Sequence, residues 1–209
     1  MKPKEGRIKE LLRERGLDGA IVSSPENFHY VTGFGGHQHT VSRQPGFTLA
    51  VMRSDDKAPT HITTMDFEAA TFRIKSAGLG FVVDPYDTWV GLKTWPEISQ
   101  GAVLPDKTRM ESSADKLEQF VKACDLADKR IGVEMDYLTV PYYNMICEKF
   151  PEAQLVDISD LFVYARSIKT EEEIKMFREL CRIADHGFTQ VSRMAGIGVS
   201  EKEMSDCFR

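Results

Sequence analysis

No stretch of this sequence is apolar for the roughly 20 residues that a membrane-spanning helix needs. Its opening, Met1-Lys2-Pro3-Lys4-Glu5, runs directly into a charged helical segment and carries no signal-peptide hydrophobic region. Basic charge is not concentrated anywhere. The 27 Lys and Arg are scattered among 32 Asp and Glu, so there is no stripe to follow a phosphate backbone, and the net charge of -5 argues against a nucleic-acid partner. Cysteine is scarce. Cys124, Cys147, Cys181 and Cys207 stand far apart with no Cys-x-x-Cys pair, which points to reduced thiols packed as small hydrophobes. A cytoplasmic location is the expectation that follows. There is no internal repeat and no low-complexity linker. What is present is a hydrophobic share of 42% and a charged share of 28% over 209 residues, the balance of a soluble globular protein with a sizeable core.

Apolar periodicity and breakers divide the chain. Residues 7–15 put Ile8, Leu11 and Leu12 on one helical face and stop at Gly16. The run Ala20-Ile21-Val22 reads as a buried strand, and Ser24-Pro25 as an N-cap with proline at the first helical position. Residues 33–44, rich in glycine and histidine, read as a loop. Strands are expected at 47–53, 60–64, 81–83, 131–134 and 154–158, and helices at 66–77, from Ser113, and at 140–150. The adjacent pair 47–53 and 60–64 is expected to be antiparallel. Alternating strands and helices give an α/β fold: a three-layer domain with a mixed, mostly parallel sheet flanked by helices.

The last forty-odd residues have another character. Thr170 and Glu173 fit the capping box, and Ile174, Phe177, Leu180, Ala184 and Phe188 then recur at helical spacing. Ser200 and Glu203 repeat the capping box, so a second helix starts there. The apolar stripe of the first helix is of the kind that packs against a larger domain. The segment reads as the entrance to one, and unaccompanied its stripe is expected to stay uncovered or dock on a neighbour. His186 lies close to that stripe, where packing is the expectation.

Three blocks resemble the creatinase, aminopeptidase P and prolidase family of "pita-bread" metallohydrolases. They are Gly16-Leu17-Asp18-Gly19-Ala20 with Ser24-Pro25-Glu26-Asn27-Phe28-His29-Tyr30-Val31-Thr32-Gly33-Phe34; Ile131-Gly132-Val133-Glu134; and Arg166-Ser167-Ile168-Lys169-Thr170 with Glu173-Ile174, Arg178, Ile183-Ala184-Asp185 and Gly198-Val199-Ser200-Glu201. The resemblance implies a creatinase/prolidase N-terminal-type domain over residues 1–164. Residues 165–209 are then a linker and the opening helices of a truncated catalytic domain. It further implies a hydrolase of Xaa-Pro peptides or of creatine-like amides, in which this region is non-catalytic, contributes to dimerisation and caps the active site. Two divalent ions (Mn, Co or Zn) belong to the full-length protein if it is of the peptidase type, none if it is creatinase-like. Their ligands have no counterpart in these residues, so no catalytic residue and no metal ligand is assigned and the chain alone is expected to be inert. A homodimer and a peptide or small amide substrate are the implied partners. An alternative remains: a stand-alone α/β binding or oligomerisation module.

His37-Gln38-His39 has three readings: exposed loop histidines, part of a metal site, or substrate contact. The resemblance supplies the third, because the loop after the Thr-Gly-Phe block approaches the partner's active site in family dimers. His37, His39 and Arg43 then face substrate, and Arg43 suits a carboxylate through its planar fork. Gly33-Phe34-Gly35-Gly36 lacks the third glycine of a dinucleotide fingerprint and reads as a flexible loop. Pro85, Tyr86, Trp89 and Trp95 read as local core, or else as the lining of a pocket or interface. Glu134, Asp136, Asp157 and Asp160 read as N-caps and solvated surface carboxylates rather than acid–base groups.

Overall fold

A computed structural model describes residues 3–55, 58–88, 95–101 and 111–208, with the side chains of Glu97 and Ile98 excepted. The chain divides into two compact units, Met1–Ala165 and Arg166–Arg209. Trp89 lies outside the described residues.

The first unit is built on six strands: β1 (Gly19–Val22), β2 (Leu49–Arg53), β3 (His61–Thr63), β4 (Val82–Val83), β5 (Arg130–Val133) and β6 (Gln154–Asp157). Their spatial order is β4-β3-β2-β1-β5-β6. The pairs β1/β5, β3/β4 and β5/β6 are parallel, while β1/β2 and β2/β3 are antiparallel, so the sheet is mixed and mostly parallel. Its helices are α1 (Glu5–Glu14), α2 (Pro25–Thr32), α3 (His37–Ser42), α4 (Ala69–Ser76), α5 (Trp95–Ser99), α6 (Ser113–Ala123), α7 (Val140–Lys149) and α8 (Ser159–Ser167).

Side-chain alternation explains why both faces are covered. Ala20 and Val22 of β1, with Ala50, Met52 and Ile62, join a core with residues of α1, α2 and α8. Ile21, with Leu49, Val51, Ile131 and Val133, points the other way into a core completed by α6 and α7. Every residue of β1 is buried, as a strand between two helical layers must be. Gly19 is needed where β1 meets β2, since a Cβ there would collide with the Met52 carbonyl.

Two of the helices end in the same way. After α1, Leu17 N donates to Leu12 O at 2.9 Å and Gly16 N to Arg13 O at 2.9 Å, with Gly16 at φ +65. After α6, Leu126 N donates to Val121 O at 2.9 Å and Asp125 N to Lys122 O at 3.0 Å, with Asp125 at φ 52. Both are Schellman turns, which return the chain sharply toward the sheet. They feed β1 and β5, which lie side by side as a parallel pair.

Four sequence expectations change, one being α5, which falls in a stretch expected to be irregular. Residues 37–42, expected within a loop, form α3. The helix expected over 66–77 is a 3₁₀ turn, Asp66–Glu68, followed by α4, which stops at Ser76 because Ala77 turns to ψ 125. Helix α8 was not anticipated. Asp157 starts it by accepting hydrogen bonds from Ser159 N at 2.9 Å and Ser159 Oγ at 2.5 Å.

The second unit consists of α9 (Glu171–Met194) and α10 (Glu201–Phe208). Both capping boxes form: Glu173 N donates to Thr170 Oγ1 at 3.3 Å and Thr170 N to Glu173 Oε2 at 2.7 Å, with the same exchange between Ser200 and Glu203. Phe188 of α9 meets Phe208 of α10 with ring centroids 5.0 Å apart. Neither helix buries a residue. Met176, Phe177, Leu180 and Ile183 line α9 half-exposed, and His186, expected to be packed, is exposed too. All four cysteines are free; Cys124 is buried, but Cys181 and Cys207, expected to pack, are exposed.

Candidate functional site

The C-terminal ends of β1 and β5 lie side by side, and the polar residues just beyond them form one connected network. Glu134 follows β5 directly and is 0% exposed. Its Oε2 accepts hydrogen bonds from Ser23 N and from Ser24 N, the latter at 2.9 Å; its Oε1 accepts from Ser24 Oγ and Asn27 Nδ2, both at 2.5 Å. These four donors are neutral. A buried carboxylate is tolerable only when satisfied in this way, so the network fixes the entry to α2. The sequence reading of Glu134 as a solvated surface carboxylate is corrected: it is buried, and from a different strand it holds Ser24, the expected N-cap of α2, whose Oγ accepts from Asn27 N at 3.3 Å. Asp157 and Asp160 keep their expected roles, Asp160 pairing on the surface with Arg15 at 2.7 and 2.9 Å.

With its start held, α2 presents Phe28 to the core, where it meets Phe34, Phe72 and His39 at centroid distances of 6.2, 5.9 and 5.4 Å. His39 is 1% exposed, and its Nε2–H donates to Ser23 O at 2.7 Å. Its Nδ1 is buried without a partner. Burial holds this imidazole below its ordinary value, in the neutral form. His39 is therefore not an exposed loop histidine but a brace between α3 and the end of β1. His37 is exposed on the same short helix. Residues two apart on a helix point to different sides, so the two imidazoles do not converge on one ion.

Arg43 closes α3 in the left-handed conformation, φ 49 and ψ 35, which disfavours any residue with a Cβ. Non-glycine residues held in this region concentrate at functional sites. Its guanidinium donates from both terminal nitrogens to Glu26, at 2.5 and 3.2 Å, and the two side chains are about half exposed. Glu26 thus occupies the fork that an external carboxylate would take. The Tyr137 hydroxyl, in the turn after Glu134, is buried without a partner, and burial pushes it up to about 12 while the Arg43 charge opposes the shift.

Gly33 is at φ 81 and ends α2, and Gly36 precedes a helix of six residues, so the glycines serve as a cap and a joint rather than as a phosphate cradle. Among the described residues, no group of three or more His, Cys, Asp or Glu is placed to hold a metal ion. The residues present do not fit a two-metal centre. No helix of the described residues is long and apolar enough to cross a membrane. Tyr86 is buried and donates its hydroxyl to Phe47 O at 2.9 Å, whereas Trp95 is 77% exposed.

Residues 6–168 match the family model of the Creatinase/Prolidase N-terminal domain. This chain belongs to that family. An uncharacterised peptidase of Bacillus subtilis strain 168 is 28% identical over 196 residues, 93% of this chain and 44% of that protein. A creatinase of Bacillus sp. strain B-0618 is 20% identical over 199 residues, 95% of this chain and 41% of that protein. The solved structure of an Xaa-Pro dipeptidase from Bacillus anthracis superimposes with a TM-score of 0.67 at 21% identity, covering 97% of this chain and 46% of that one. The chain thus spans under half the length of these relatives. As a creatinase/prolidase N-terminal domain, it places the family-like stretch from Ser24 to Phe34 around the Glu134 network, which explains why blocks a hundred residues apart in the sequence go together.

Proposed function

We propose that this chain is the N-terminal, non-catalytic region of a C–N hydrolase, either an Xaa-Pro peptidase or a creatinase-like amidinohydrolase, and is inert by itself. The family match over residues 6–168 carries this reading, with relatives named as a peptidase and as a creatinase that are about twice as long. The uncovered apolar side of α9 supports it, being suited to cover by a larger body. In the full-length, cytoplasmic protein the region forms part of a homodimer and caps the active site, with a peptide or small amide as substrate. If the protein is of the peptidase type, its two divalent ions are held by side chains outside the residues described. Of the three substrate-side candidates, His37 and Arg43 are exposed for contact, and His39 acts behind them by fixing α3.

The test is hydrolysis of Xaa-Pro dipeptides and of creatine with added Mn²⁺, by the 209-residue chain and by a form extended through a complete catalytic domain. Turnover only by the extended form is expected; comparable rates from the short chain would overturn the reading. In the extended form, Arg43→Gly keeps the left-handed backbone and removes the fork. It is expected to raise KM for a free-carboxylate substrate more than for its C-terminal amide, and equal effects on both would remove Arg43 from the site. One observation favours a second reading, a stand-alone binding or oligomerisation module: residues up to 165 complete two cores of their own. Absence of turnover by the extended form on every substrate would favour it.

A further inference from the structure

A cavity of about 680 Å³ opens on the first unit and is lined by none of the residues of the Glu134 network. It sits beyond the C-terminal ends of the parallel strands β3 and β4, where Met65 and Tyr86 continue the pairing through an isolated bridge. Open α/β sheets hold ligands at this end of their strands. Phe47, Met65, Phe67 and Tyr86 provide apolar walls, and the volume suits a small molecule.

Most of the polar groups around it are already engaged. The Tyr86 hydroxyl donates to Phe47 O, and Thr88 Oγ1 to Asp66. Glu111 accepts from Lys116 at 2.6 Å and Gln119 at 2.7 Å. The positive end of α6 is answered by Asp115, which accepts from Ser112 N at 2.8 Å. The side chains of Gln38 and Ser113 also line it without a hydrogen bond among the described residues, but they are neutral; Asp87 is the charged group that lines the cavity, is exposed, and makes no hydrogen bond or ion pair among the described residues. No Lys, Arg or His of the described residues lines the cavity. Aromatic faces and an unengaged carboxylate both attract positive charge, while the apolar walls favour an organic body. Among the described residues that line it, an anion would find no cation.

We propose that this cavity binds a small organic ammonium ion, a primary amine carried on an aromatic or branched aliphatic body. The ammonium group pairs with Asp87 at the mouth, and the body lies against Phe67 and Tyr86.

The experiment is a titration of the isotope-labelled 209-residue chain with benzylamine, benzyl alcohol and phenylacetate, followed by amide chemical shifts. Benzylamine is expected to give saturable shifts around residues 65–67, 86–88 and 112–113 and to bind roughly tenfold tighter than the alcohol. Its binding should weaken several-fold between low and high salt, as a charge pair at a cavity mouth is screened. Asp87→Asn, at an exposed position, should abolish the preference for the amine. Phe67→Ala should weaken the amine and the alcohol alike. The proposal fails if the alcohol or phenylacetate binds as tightly as the amine, or if the amine shifts map elsewhere or do not saturate. It also fails if the preference survives in Asp87→Asn.

Discussion

Phe28 and Phe177 are the same side chain in opposite circumstances. Phe28 is 0% exposed and touches three other rings; Phe177, on an equally regular helix, is 51% exposed. The second unit has what local sequence can supply: two capping boxes, a helix of 24 residues and an apolar stripe. The first unit adds what only distant pairing supplies, a sheet closed on both faces. Caps and periodicity are thus enough to shape a helix, but burial of its apolar side, worth about 1.5–3 kcal/mol for each large side chain, needs a partner surface.

The sharpest way to break this comparison is to truncate both rings. Phe28→Ala should cost about 3–5 kcal/mol in urea unfolding, the range for a large buried aromatic, whereas Phe177→Ser should change stability by under about 0.5 kcal/mol. Equal losses would show that the second unit is not the uncovered one.

A smaller effect is expected where the first unit uses polar rather than apolar burial. Glu134→Gln presents an amide NH₂ where an acceptor is needed, leaving buried donors unsatisfied, and should cost about 2–3 kcal/mol. Circular dichroism with urea unfolding would measure it. A neutral result would mean that the carboxylate does not hold the entry to α2.

The smallest effect is that of pH. His39 lies below its ordinary value of 6.5 because of burial, so the unfolded chain takes up its proton first. Stability is therefore full above about pH 6.5 and declines as pH falls from there toward the folded value; burial of His29 and His61 acts in the same direction. Urea midpoints at pH 7.5, 6.5 and 5.5 should show this slope, and His39→Gln should flatten it. An unchanged slope in the variant would remove His39 as a contributor.

Legibility in the sequence followed the same division between local and distant causes. The strands at 49–53 and 130–133 and the capped helices from Thr170 and Ser200 were readable, because apolar runs and cap pairs are local signals. Helix α3 was not: His37-Gln38-His39-Thr40 has no apolar rhythm, and the helix is fixed by the distant Ser23 carbonyl and by Glu68, which accepts from Gln38 N at 3.0 Å. Glu134 was visible as part of a family-like block, yet nothing adjacent in the sequence announces that its carboxylate is buried. The same holds for Gly19, whose lack of a side chain matters only because β2 lies against it. Arg43 was singled out for its chemistry, but its left-handed backbone and its pairing with Glu26 are products of the fold.

The bond between Glu134 and Ser23 joins residues 111 positions apart. A ribosome adding roughly 5–20 residues per second needs about 6–20 s to travel that distance. During that interval β1 has left the exit tunnel with β2 soon beside it, while the side that β5 will occupy stays open and Ser24, the N-cap of α2, lacks the carboxylate that holds it. Nascent chains of this protein therefore pass through a stage in which one edge of β1 is bare, although in the finished sheet that strand has a neighbour on each side.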